Sequence, residues 1–181
     1  KNNTSLNTSE LITSLISNAT SGAAEKLGDI DIDGYNSEDL SSMLENITNG
    51  ASSGLGNIIG NTNENIDLSK LVTEISSSAT ESLNKIKMAG FDYEDVSSIV
   101  ESVARGASSG LENLQTSNHN DKLVLLAKIQ EGATTSLSRL SIDGFNFAEQ
   151  KEVIEKKIKK GTSKGFEKIF NKLEVAKIID I

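Results

Sequence analysis

Apolar residues recur along this chain in six clusters that share one spacing. Anchored on a small central residue, Ala19, Ala51, Ala79, Ala107, Ala133 or Thr162, each cluster has an apolar residue eight positions earlier: Leu11, Met43, Leu71, Ile99, Leu125 and Ile154. Another stands four positions earlier, at Leu15, Ile47, Ile75, Val103, Ile129 and Ile158, and another four later, at Ala23, Leu55, Leu83, Leu111, Leu137 and Phe166. A last one follows seven after the anchor, at Ile58, Ile86, Leu114, Leu140 and Ile169, with Leu27 one step late in the first cluster. Steps of three and four put all of these on one face of an α-helix, and the intervening Ser, Asn, Glu and Lys fall outside it. The pattern predicts six amphipathic helices.

The punctuation between them supports the same reading. Gly34, Gly90 and Gly144 stand where a helix must stop, because glycine enters the left-handed conformation without a Cβ clash. An aromatic follows each, Tyr35, Phe91 or Phe145, placed to plug the end of a hairpin. Asn36, Asp92 and Asn146 then fall at N-cap positions with Asp39, Asp95 and Glu149 three residues on, an acidic form of the capping box. The intervening "GNTNENID" and "QTSNHND" lack the aromatic and read as loops between units. The expected fold is all-α: six antiparallel helices as three tandem helical hairpins, over about 9–60, 66–115 and 121–178, after a flexible polar arm at 1–8. They close into one bundle or a short solenoid, and the compact bundle hides more of the apolar stripes.

One phrase within the repeat runs against helix propensity. "NGASSGL" at 49–55 returns as "RGASSGL" at 105–111 and as "KGTSKGF" at 160–166. Glycine in a helix interior costs about 1 kcal/mol relative to alanine. Gly50 with Gly54, Gly106 with Gly110, and Gly161 with Gly165 lie four apart, so each pair clears a notch on one face where a neighbouring helix can come close. Gly132 with Ser136, and Asn18 with Gly22, are looser copies. The same notches could instead line a groove for an apolar ligand.

Composition narrows the chemistry. The chain of 181 residues has no proline and no cysteine, which favours continuous helix and removes disulfides, thiolate metal sites and thiol nucleophiles. No apolar run approaches the length of a membrane span or a signal-peptide core. Charge is uneven: residues 1–118 carry 17 acids and 6 bases, net −11, and residues 119–181 carry 9 acids and 12 bases, net +3, giving −8 for the whole. The bases concentrate in the last helix, where Lys156, Lys157, Lys159, Lys160 and Lys164 form a candidate contact for an anionic surface, or simply complement the acidic helices beside them. At this net charge a nucleic-acid partner is not expected.

Catalytic signatures are lacking. His119 is the only histidine and sits in a polar linker, and neither a nucleophile elbow nor a phosphate loop is present. Asp29, Asp31 and Asp33 precede Gly34 like the start of a calcium loop and form a candidate calcium site, although Leu40 holds the position of the bidentate acid. No other cofactor is expected. Lys1 in place of Met and the polar opening "KNNTSLNTSE" fit a spacer behind a removed signal or a lipid-modified residue, which points to the periplasm or cell surface. The functional expectation is therefore a non-catalytic helical interaction or structural module that presents a helical face to a protein partner, with membrane contact only through an N-terminal lipid anchor or the last helix. The alternatives are a carrier of a small apolar ligand and a cytoplasmic helical adaptor.

Overall fold

Six stripes of apolar residues close into six helices in the computed structural model, which describes residues 8–30, 36–61, 66–88, 90–114 and 119–179. They are α1 (Thr8–Glu25), α2 (Ser37–Asn61), α3 (Leu68–Glu81), α4 (Tyr93–Ser109), α5 (His119–Leu137) and α6 (Phe147–Ile179), and no strand occurs among the described residues. Short 3₁₀ turns, Lys26–Asp29, Ser82–Lys85 and Gly110–Asn113, extend α1, α3 and α4. Three residues per 3₁₀ turn puts Leu27 on the same side as Ala24, and both are buried. Leu27 stands one step late because the buried side at the end of α1 runs through Thr20, Ala24 and Leu27, one position after Ala19 and Ala23, which are exposed.

The helix ends follow from the turn residues. Gly90 and Gly144 have φ of +88° and +85°, the left-handed stops their positions required. Asn36 Oδ1 accepts from the Asp39 amide at 3.0 Å, and the Asn36 amide donates back to Asp39 Oδ2 at 3.3 Å. Asp92 and Asp95 repeat this reciprocal box at 2.9 and 3.0 Å. The third box does not form: Asn146 gives its side-chain amide to Glu149 at 2.6 Å, and the Glu149 backbone amide bonds the Asn146 carbonyl instead. Among the aromatic plugs, Phe145 packs edge-on against Tyr93 at 5.0 Å and stacks with Phe147 at 6.0 Å. Gly34 and Tyr35 lie outside the described residues.

Helix pairing follows an alternating rule. The most extensive contacts join α4 to α6, α2 to α4, α3 to α5 and α1 to α3, whereas consecutive helices touch far less. The bundle thus has two rows, α1–α3–α5 and α2–α4–α6, with Leu40, Leu44, Leu55, Ile75, Ile129 and Ile158 fully buried. Neighbours within a row run parallel. On α4, Gly106 meets Glu45 and Thr48 of α2, while Gly110, one turn later, meets Asn49 and Ser52, one turn later on α2.

The apolar stripe of α1 departs from expectation. Leu11 and Leu15 are 46% and 59% exposed, and Ala19 and Ala23 are exposed too, although the same positions in α3, Leu71, Ile75, Ala79 and Leu83, are all 0% exposed. The physical reason is position in the row: α3 follows α1 and α5 follows α3, and both bury these positions, whereas among the described residues no helix precedes α1.

Candidate functional site

Glycine makes the parallel rows possible. A Cβ added at Gly106 or Gly161 would fall well inside contact distance of the Glu45 or Glu101 carbonyl oxygen, and one at Gly132 would meet the Thr73 carbonyl. At Gly110 it would stand 2.6 Å from the Asn49 carbonyl oxygen, and at Gly165 2.5 Å from that of Arg105. Backbones touch here, so the space beside these five glycines is filled by the neighbouring helix and not by an open groove. Gly28 makes the same kind of approach to the Lys85 carbonyl across two 3₁₀ turns, a contact the repeat pattern did not reveal. Gly50 and Gly54 behave differently. Among the described residues nothing lies within 4 Å of a Cβ at either, so the expectation that this pair seats a neighbouring helix is not met there.

Hydroxyl groups zip the rows beside the notches. Ser17 and Ser78 share a hydrogen bond of 2.6 Å, as do Ser77 and Ser136 at 2.7 Å, and Thr73 donates to the Lys128 carbonyl at 3.3 Å. Such polar contacts hold two helices in register without demanding bulk.

The lysine cluster of α6 is largely occupied by acids of α4. Lys164 donates to Glu101 Oε1 at 2.8 Å, Lys160 lies 3.4 Å from Glu101 Oε2, and Lys157 pairs with Glu94. Lys156 pairs with Glu152 one turn earlier on its own helix, and Lys159 is exposed. Earlier in the row the same positions carry the Arg105–Glu45 pair between α4 and α2. Three of the five lysines assigned to an anionic surface are therefore spent on holding α6 to α4. A polar cleft of about 500 Å³ runs over this region, lined among others by Glu45, Ser98, Ser102, Arg105 and Lys160.

Glu101 is the hub, with only 8% of its side chain exposed. Burial pushes its pKa up, but the hydrogen bond and charge of Lys164, joined by Lys160, outweigh burial and hold the carboxyl below the usual range. A depressed folded pKa makes this contribution fully present above the unfolded value near 4.3 and lost as pH falls through the folded value. Glu101→Gln is expected to cost about 1–2 kcal/mol at neutral pH, discounted because the lysines are half-exposed. Urea midpoints measured against pH check this: the gap between wild type and variant should begin to narrow below the unfolded pKa and close below the folded one, and a gap constant with pH contradicts the assignment.

The remaining candidates are separate from this cluster. Asp29 is exposed and bonded to Lys26 at 2.8 Å, and the lysine lowers the Asp29 pKa. Asp31 and Asp33 lie outside the described residues, and among the described residues no group of three or more potential ligands gathers. Lys122, at the start of α5, is buried, and burial lowers its pKa against the opposing charge of Glu112. His119 begins α5 and does not sit in a linker. A hollow of about 570 Å³ opens at the α5–α6 turn, lined by Leu137, Leu140, Phe145, Phe147 and Lys151 with Thr135 and Ser138 at its exposed rim. Among the described residues no helix is long and apolar enough to cross a membrane. Compared with known proteins, the chain matches no family model, no curated protein and no solved structure.

Proposed function

We propose that this chain is a non-catalytic interaction module, three tandem helical hairpins that present a helical end face to a protein partner in the extracytoplasmic space. The observation that carries the reading is the exposure of Leu11 and Leu15, two core positions of the repeated helix, on the outer side of α1. On the same side α2 offers Gly50 and Gly54 with none of the described residues within 4 Å of a Cβ there, so apolar bulk and backbone-accessible surface lie next to each other at one end. An interface core is made of such surface, relieved of charge and able to exclude water.

A photo-crosslinking residue at Leu15, with Lys70 as an exposed control on the outer side of α3, tests the reading in cells that make the protein. A protein adduct formed from position 15 and not from position 70 is the expected result. Equal labelling from both positions contradicts a dedicated face. Separating the envelope from the cytoplasm in the same cells tests the compartment.

A further inference from the structure

We infer that the partner is a second copy of this chain, the α1–α2 end of one molecule seating on the α5–α6 end of the next, an assignment that rests on the interaction reading above. The argument begins from what already covers equivalent surfaces within one chain. Leu71 and Ile75 of α3 are buried, and their counterparts Leu11 and Leu15 on α1 are exposed. Gly106 and Gly110 of α4 lie on α2, Gly161 and Gly165 of α6 lie on α4, and among the described residues nothing covers the matching pair on α2.

The opposite end carries the complementary half. On α3, Glu81 takes hydrogen bonds from Arg139 and Ser136, and Asn84 bonds the backbone of Arg139 and Ser141. Tyr93 at the start of α4 packs on Phe145 and accepts a hydrogen bond from the Asn146 amide. Moved one repeat along the sequence, these positions are Thr135, Ser138 and Phe147, which line the 570 Å³ hollow at the α5–α6 turn. The hollow is the seat that α3 and α4 offer to the hairpin after them, with no hairpin in it. Leu123, near the start of α5 and apart from the hollow, adds apolar surface on the side of that helix opposite α3 and is 45% exposed.

Electrostatics choose the occupant. The first 118 residues carry net −11 and the remainder +3, so stacking copies in one direction brings the basic end of one chain to the acidic body of the next. Lys156, Lys159 and Ser163 of α6 would face Asn46, Asn49 and Gly50 of α2, which places no like charges opposite each other. The two faces differ, so the contact is heterologous and does not close on itself: it generates a chain of copies.

Sedimentation velocity of the full chain at low ionic strength provides the test. The average mass is expected to climb with concentration past the dimer, and to fall back as salt is added. Leu15→Glu blocks one face and Leu123→Glu the other, and each is expected to weaken association more than about tenfold. Gly54→Gln does the same at a site where nothing is displaced within the fold, and melting curves confirm that it still folds. Mixing L15E with L123E should give a one-to-one dimer that grows no further, because each variant keeps the face the other needs. A wild type that stays monomeric, or a mixture that yields no dimer, overturns the inference. A monomer that nevertheless forms a foreign adduct from position 15 keeps the interaction face and removes this occupant.

Discussion

Gly161→Ala is expected to lower stability by about 2 kcal/mol or more, and Gly50→Ala to raise it by about 0.5–1 kcal/mol, although both replace the same glycine of the same phrase. Alanine gains helix propensity equally at both positions. The opposite signs come from what the methyl meets. At Gly161 it would overlap the Glu101 carbonyl oxygen, a backbone atom fixed in α4, so α4 and α6 must separate and weaken the Glu101 ion pairs on the way. At Gly50 no atom of the described residues lies within 4 Å of it. Gly106→Ala and Gly54→Ala form a second pair with the same expected contrast. Urea denaturation of the four variants checks it, measured dilute so that association does not contribute, and equal effects across the four would remove close backbone contact as the reason for the phrase.

Ile75→Ala and Ile129→Ala are expected to cost about 2–5 kcal/mol each, while Leu15→Ala costs under about 1 kcal/mol. These three residues hold one position of the repeated helix. Ile75 and Ile129 are fully buried, so truncation loses transfer free energy and leaves a cavity among neighbours that relax only in part. Leu15 is 59% exposed and leaves no cavity. Thermal melts rank the three directly. A Leu15→Ala loss as large as the other two would place that side chain in a packed core and remove the exposed end face.

Much of this architecture was legible because its causes are local. Helix existence followed from the spacing of apolar residues, and helix ends followed from Gly90, Gly144 and the Asp92–Asp95 pair, whose chemistry acts within a few residues. The third cap failed because the longer Glu149 side chain reaches the Asn146 amide group and not the N-cap backbone. What periodicity does not contain is the neighbour. The phrase at Gly50 reads like the one at Gly106, yet one is bare and the other in contact, since that depends on whether a helix precedes it in the row. Leu11 and Leu15 carried the same ambiguity. The lysines of α6 looked like a free basic face because Glu94 and Glu101, their partners, lie about sixty residues away in sequence. Gly28 gave no signal, standing outside the repeated phrase.

The account depends on alternate helices lying side by side, in parallel, about one repeat apart in sequence. Oxidation of the S17C/S78C and S77C/S136C variants measures this most directly, in a chain that has no cysteine of its own. The native hydroxyls are 2.6 and 2.7 Å apart, so sulfurs in their place fall within bridging reach. Both pairs are expected to form an intramolecular disulfide under mild oxidation, seen as a faster band on a non-reducing gel. If neither bridges while the variants remain folded, the α1–α3–α5 row described here does not exist.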